Sequence, residues 1–198
     1  MPGARETEDR SNGYEVIAAE FMAGRDRSNI GVATVSNWAK SLPAGASILD
    51  RGCGHGVPIT AALMNDGFKV FGVDASPTLT AAFRSRFPSS EVACEPAEDS
   101  SFFRWKFHGI IAVGLMFVLS PEAQRRLIGR VALALKPGGR FLFTAPTQCT
   151  NWTDMLTGRQ SLSLGSEIYK AMLEEMGLVL VDECVDEGEN HYYDSGKR

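Results

Sequence analysis

The stretch Ile48-Leu49-Asp50-Arg51-Gly52-Cys53-Gly54-His55-Gly56 begins as a short buried-strand pattern and ends in three glycines at alternate positions. A helix-compatible run from Val57 to Asp66 follows directly. Strand, glycine turn and helix in that order is how a parallel α/β sheet brings backbone N–H groups close to a polar or anionic ligand. A dinucleotide fold wants G-x-G-x-x-G, which would put a third glycine at position 57, and that residue is Val57. The register argues against NAD or FAD and toward a different ligand on the same kind of scaffold.

Working outward from this turn, strands and helices alternate. A strand over Ser47–Arg51 leads to the helix Val57–Asp66, with Gly67 as its C-terminal stop. Strand Lys69–Val73 precedes Ser76-Pro77, an N-cap followed by proline at the first helical position. A strand at Glu91–Cys94, a short segment around Asp99–Arg104 and the apolar strand Gly109–Val113 come next. Ser120-Pro121 repeats the cap-and-proline signal, and Arg140–Thr144 is the fifth strand. A long polar connection, Ala145–Leu164, reaches a helix from Ser166 to Met176. Two closing strands, Leu178–Cys184 and about His191–Ser195, form a hairpin across an acidic turn. Upstream, amphipathic helices are expected over Tyr14–Ala23 and Ile30–Ser41, and residues 1–12 are expected to be disordered. The order implies one domain over 1–198 with a mostly parallel, seven-stranded sheet whose last strand is antiparallel. Segment 13–44 then forms cap helices and 145–165 a substrate lid.

With 198 residues, 44% hydrophobic and 22% charged, the chain has the composition of an ordinary globular protein. The net charge of −4 and the lack of a Lys/Arg block argue against a nucleic-acid partner. No apolar run reaches the ~18 residues of a membrane span, and the polar start does not resemble a signal peptide, so a cytoplasmic location is expected. The four cysteines are scattered without a C-x-x-C pair, and read as small buried residues with no metal site.

In an open parallel sheet the ligand lies at the carboxyl ends of the strands, so chemistry is expected just after each of them. Asp74 follows the second strand, about 20 residues past the glycines, where a carboxylate accepts both hydroxyls of a ribose. Ala97-Glu98-Asp99 follows the third strand and can meet an adenine edge, while Val113-Gly114 follows the fourth and permits close backbone approach.

This arrangement resembles the class I S-adenosylmethionine-dependent methyltransferases from about Tyr14 to the C-terminus. Leu49-Asp50-Arg51-Gly52-Cys53-Gly54-His55-Gly56 matches their L-D-x-G-C-G-x-G motif, and Leu135-Lys136-Pro137-Gly138-Gly139 their L-K-P-G-G turn. Asp74, in Val73-Asp74-Ala75-Ser76, corresponds to their ribose-binding acid. Tyr14, Ala18, Phe21 and Arg25 match a helix that covers the cofactor in many members acting on small molecules. The resemblance implies a Rossmann-like three-layer sandwich that binds S-adenosyl-L-methionine through Tyr14, Arg25, Gly52, Cys53, Gly54, Asp74, Ala75, Ser76, Ala97, Glu98, Val113 and Gly114. Arg25 would then pair with the methionine carboxylate. Arg51, Pro96 and His108 depart from the family pattern, and Arg51 is expected to bring a charge to the pocket wall.

Methyl transfer from a sulfonium needs positioning more than a fixed catalytic group, so the acceptor site must lie in the variable parts. Trp152 in the 145–165 connection offers an aromatic wall. His191 and Tyr192 offer polar groups, and His191 is the candidate base. His55 is expected to pack or cap, and Asp182, Glu183, Asp186, Glu187 and Glu189 to form a solvated face. The function expected is methyl transfer to O, N or S of a small molecule, by a monomer or homodimer. The alternative is a non-catalytic S-adenosylmethionine-binding or scaffold protein of the same fold.

Overall fold

The computed structural model describes residues 9–198. Nine strands and six α-helices run in the order α1 (Ala18–Arg25), α2 (Val32–Ala39), β1 (Ser47–Arg51), α3 (Ile59–Asn65), β2 (Lys69–Asp74), α4 (Pro77–Arg86), β3 (Val92–Cys94), β4 (Phe107–Ala112), α5 (Pro121–Ala134), β5 (Leu135–Thr144), β6 (Cys149–Thr153), β7 (Gln160–Leu164), α6 (Ser166–Glu175), β8 (Leu178–Val185) and β9 (His191–Lys197). Seven strands form one sheet, ordered β3-β2-β1-β4-β5-β9-β8, with β6 and β7 as a separate hairpin. β3, β2, β1, β4 and β5 pair in parallel, and β9 runs antiparallel to both β5 and β8. The fold is the expected Rossmann-like sandwich. No helix among the described residues is long and apolar enough to cross a membrane.

Strand β1 is buried on both faces, and side-chain alternation divides its work. Ile48 joins a core with Val35, Trp38 and Leu63 of α2 and α3. Leu49 joins the opposite core with Leu127 of α5 and Tyr169 of α6. The two cap-and-proline signals fold as their chemistry dictates. Ser76 Oγ accepts from Leu79 N at 3.1 Å and Ser120 Oγ from Ala123 N at 3.3 Å, each ahead of a proline.

Three regions differ from the sequence expectation. The Ala145–Leu164 connection contains an antiparallel hairpin, β6–β7, whose alternating Ser161 and Ser163 are buried. The first helix starts at Ala18, because Asn12 and Gly13 adopt left-handed backbone (φ 54° and 90°) and turns occupy the intervening residues. The disorder expected over 1–12 lies, for residues 1–8, outside the described residues. At 9–12 the chain is a bonded turn: Asp9 accepts from Ser11 N and Gly13 N, each at 3.0 Å. Cysteine burial also departs from expectation, since Cys53 is buried but Cys94, Cys149 and Cys184 are exposed.

Arg51 occupies the β1 face opposite Asp50. It is 0% exposed, and its Nε, Nη1 and Nη2 have no hydrogen-bond partner among the described residues. It does not line the cavity; its guanidinium lies 4.0 Å from the centre of the Phe102 ring. Burial drives its pKa well below the ordinary arginine value, with Glu98 and Glu95 opposing that fall and Arg130 adding to it. Phe102, Phe103 and Arg104 all have positive φ (51°, 56° and 57°), a backbone conformation costly for side-chain-bearing residues.

A desolvated cation costs several kcal/mol, whereas a cation–π contact returns about 2 kcal/mol. Arg51→Met keeps the reach over Phe102 and removes the charge. It is expected to raise unfolding stability by about 1–4 kcal/mol. Thermal unfolding checks this, and a lowered melting midpoint would show that the ring and nearby carboxylates outweigh the desolvation.

Candidate functional site

The carboxyl ends of β1, β2, β4 and β5 open into a cavity of about 240 Å³, closed above by the chain from Arg10 to Ile30. The glycine turn forms its floor. Gly54 has φ +55° and donates its N–H to Asp74 Oδ2 at 2.9 Å. Gly56 has φ +84°, and a Cβ there would collide with the Phe87 ring. These two positions require glycine for backbone and for space respectively.

Asp74 is the most constrained acid of the site. Oδ2 accepts from Gly54 N and Oδ1 from Ser76 N at 2.8 Å, so each oxygen keeps a free lone pair. Burial raises its pKa, against the lowering effect of these backbone donors. Asp50 lies on the face of β1 toward α3, where Oδ2 accepts from Thr60 Oγ1 at 2.7 Å. Burial pushes the Asp50 carboxyl up to about 7; Asp74 adds to the rise, while Thr60 and Arg25 oppose it. Arg25 projects from the end of α1, and its guanidinium makes no hydrogen bond or ion pair among the described residues. Burial lowers its pKa, opposed by Tyr192, Asp50 and Asp186.

Of the twelve residues expected to hold the cofactor, eleven line the cavity: Tyr14, Arg25, Gly52, Cys53, Gly54, Asp74, Ala75, Ala97, Glu98, Val113 and Gly114. Ser76 does not. Its hydroxyl caps α4 and donates to Glu15, which also accepts from Thr78 N at 3.1 Å, so Ser76 anchors the covering segment instead. Tyr14 packs edge-on against Phe21 (5.2 Å between ring centres), and burial pushes its hydroxyl up to about 12, with Asp154 and Asp74 adding to the rise. His55 packs, as expected: it is buried with Nε2 3.0 Å from Asp26.

The acceptor candidates separate. Tyr192 lines the cavity, but His191 does not. Adjacent strand residues face opposite sides of a sheet, and His191 Nε2 meets Glu183 at 3.0 Å, which in turn bonds Lys170 of α6. That placement removes His191 as the base. Trp152 stands one layer back, 5.6 Å from Phe117, and Phe117 reaches the cavity. Asp186 and Asn190 were missed. Asp186 is no solvated acid: it is buried, lines the cavity and accepts from Tyr192 Oη at 3.0 Å. Its Asp-x-Gly-x-Asn spacing, a turn in which one carboxylate collects backbone N–H groups, was the available signal.

The segment over the cavity is tied at several points. Asp9 pairs with Arg159 of the β6–β7 hairpin at 2.9 Å, and Arg10 bonds Asp99 and stands 3.8 Å from Glu98. The arrangement can seat a ligand with vicinal hydroxyls at Asp74 and an anionic group at Arg25. No cluster of metal-ligating side chains occurs among the described residues.

Residues 48–139, from β1 into the turn within β5, match the family model of a methyltransferase domain. An uncharacterized methyltransferase of Synechocystis sp. is 29% identical over 112 residues, 57% of this chain and 52% of that protein. The chain thus spans about half the length of the curated relative it matches. Among solved structures, the Burkholderia thailandensis 1,6-didemethyltoxoflavin-N1-methyltransferase, with bound 1,6-didemethyltoxoflavin and S-adenosylhomocysteine, superposes with a TM-score of 0.74 at 20% identity. That match covers 100% of this chain and 92% of the other. A TehB-like SAM-dependent methyltransferase from Corynebacterium glutamicum gives 0.70 at 20% identity, covering 94% of this chain and 97% of that one. At such identities the superpositions establish a shared fold.

The Asp50 environment gives a direct test of these electrostatics. Its side-chain carboxyl carbon is expected to titrate by NMR with a midpoint of about 7. Thr60→Val removes a donor to the charged form and should raise that midpoint; Asp74→Asn removes a neighbouring negative charge and should lower it. Shifts in the opposite directions would refute the assignment.

Proposed function

We propose that this chain, whose residues 48–139 match the family model of a methyltransferase domain, is an S-adenosylmethionine-dependent methyltransferase that transfers a methyl group to an O, N or S atom of a small molecule. The observation that carries this reading is the Asp74 carboxylate, fixed by Gly54 N and Ser76 N beside the glycine turn with two lone pairs unused. That is the geometry a ribose diol requires. Its fit with S-adenosyl-L-methionine extends along the cavity. Ala97 and Glu98 line the same cavity and suit an adenine edge, and Arg25, with no ion pair among the described residues, suits the methionine carboxylate. Asp50, poised near neutrality, favours a cationic ligand in its ionised form.

When bound, the cofactor supplies an electrophilic methyl group on a sulfonium. The protein's part is to hold that group against an acceptor and to exclude water. Tyr14 and Phe21 cover the glycine turn, while Glu15 and Asp9 tie their segment down through Ser76, Thr78 and Arg159. The wall formed by Leu115, Phe117 and Val118, backed by Trp152, bounds the space left for an acceptor of modest size. A protein of the same fold acting on 1,6-didemethyltoxoflavin supports a small acceptor. The free cysteines fit a reducing, cytoplasmic setting, in which the chain acts as a monomer or homodimer.

Isothermal titration with S-adenosylhomocysteine tests the cofactor assignment. Asp74→Ala removes charged hydrogen bonds and is expected to weaken binding roughly 10–100-fold. A wild-type protein that gives no binding, or an Asp74→Ala variant that binds equally well, would be decisive against it. Binding without transfer of labelled methyl to any member of a broad acceptor panel would favour the non-catalytic alternative.

A further inference from the structure

We infer that Tyr192, its phenol proton committed to Asp186, selects the methyl acceptor by receiving a hydrogen bond from an N–H or O–H on a flat, largely apolar molecule. The inference rests on the methyltransferase reading above and deepens it by naming a substrate class. It comes from an inventory of donors and lone pairs at the end of the cavity between β8 and β9.

Asp186 is 8% exposed and fully engaged. Oδ1 accepts from Gly188 N at 2.8 Å, Asn190 N at 2.9 Å and Asn190 Nδ2 at 3.0 Å. Oδ2 accepts from Asn190 Nδ2 and Tyr192 Oη, each at 3.0 Å. These donors hold the carboxyl below its ordinary pKa despite burial, so it is ionised and has no proton to give. In the bond they share, Tyr192 must be the donor. A phenol has one proton, and here it points at Asp186. Tyr192, 1% exposed and lining the cavity, keeps oxygen lone pairs that its own proton does not occupy.

Asn190 is in the same condition. Both of its side-chain contacts to Asp186 use Nδ2, and its side-chain carbonyl oxygen has no hydrogen-bond partner among the described residues. A ligand carbonyl or carboxylate facing the Tyr192 oxygen and the Asn190 side-chain carbonyl would meet lone pairs. An N–H or O–H would find an acceptor whose orientation is already fixed, so little ordering is needed on binding.

Position assigns this group to the acceptor. Tyr192 pairs with Thr144 of β5, and β4 and β5 separate β9 from β1. Three strand spacings of about 4.8 Å separate its backbone from that of β1 by roughly 14 Å, and its side chain reaches under the covering segment, where the hydroxyl lies against Gly31. Ile30, Leu115, Phe117 and Val118 give the cavity apolar walls, beside polar lining residues that include Thr144, Asp50 and Arg25. A flat ring with one donor at its rim matches that lining.

The test uses protein saturated with S-adenosylhomocysteine and two probes of one shape, benzimidazole and 1-methylbenzimidazole, the second lacking the N–H. Ligand-observed NMR titration of wild type is expected to show benzimidazole binding about tenfold tighter, and Tyr192→Phe to abolish that preference. Affinity for S-adenosylhomocysteine should be unchanged in the variant, which also shows that it is folded. If Tyr192→Phe fails to fold, Asp186→Asn replaces it: an amide donor there releases the phenol proton to the cavity, and the preference should again vanish. Equal binding of the two probes to wild type, no binding of either, or a preference surviving substitution overturns the inference. So does a tenfold loss of S-adenosylhomocysteine affinity in Tyr192→Phe, which would assign the lone pair to the cofactor's ammonium. A wild type that does not bind S-adenosylhomocysteine at all fails at the methyltransferase reading instead.

Discussion

The carboxylate of Asp74 joins parts of the chain that nothing in their sequence separation requires to meet. One oxygen takes the N–H of Gly54 in the turn after β1; the other takes the N–H of Ser76 at the start of α4. Each bond satisfies a backbone donor that the parallel sheet leaves without a ladder partner at its carboxyl edge. Ser76, held in this way, presents its hydroxyl to Glu15, and Glu15 also takes the N–H and hydroxyl of Thr78. The covering segment is thereby fastened to the edge it covers. Were Asp74 uncharged, the floor, the start of α4 and the roof of the cavity would lose their common tie.

Buried charge is distributed unevenly around this centre, and the differences follow from partners. Asp186 collects five donor contacts and stays ionised at little electrostatic cost. Asp50 has one side-chain donor, Thr60, and stands near another carboxylate, so burial lifts it toward neutrality. Arg51 has a ring face and no hydrogen-bond acceptor. The three groups sit within or beside one site, and the number of hydrogen-bond partners together with the depth of burial separates them.

Much of the scaffold was legible in the chain because it is specified locally. The glycine register after β1, the serine–proline caps at 76 and 120, and the apolar strands all act over a few residues. The hairpin at 149–164 escapes a sequence reading because its strands are short and put serines at the buried positions 161 and 163, so no apolar alternation marks them until they pair. Asp186 was read among its acidic neighbours as solvated, although its turn spacing with Gly188 and Asn190 carried the signal. The exposed cysteines at 94, 149 and 184 show how weak a guide residue type is to burial at strand ends.

By itself the sequence determined the layered α/β architecture, the carboxyl edge of the sheet where the cavity opens and most of the residues along it, since hydrophobic period and turn chemistry depend on near neighbours. Only the tertiary structure decided which side chains of the last strands face the cavity. His191 and Tyr192 are adjacent, and a strand sends adjacent side chains to opposite faces. The pairing of β9 between β5 and β8 gives Tyr192 to the cavity and His191 to Glu183. Likewise Arg51 looked from the motif like a charge at the pocket wall, but the strand's alternation turns it to the other face, under Phe102. Facing is a property of register between distant strands, and no local pattern encodes it.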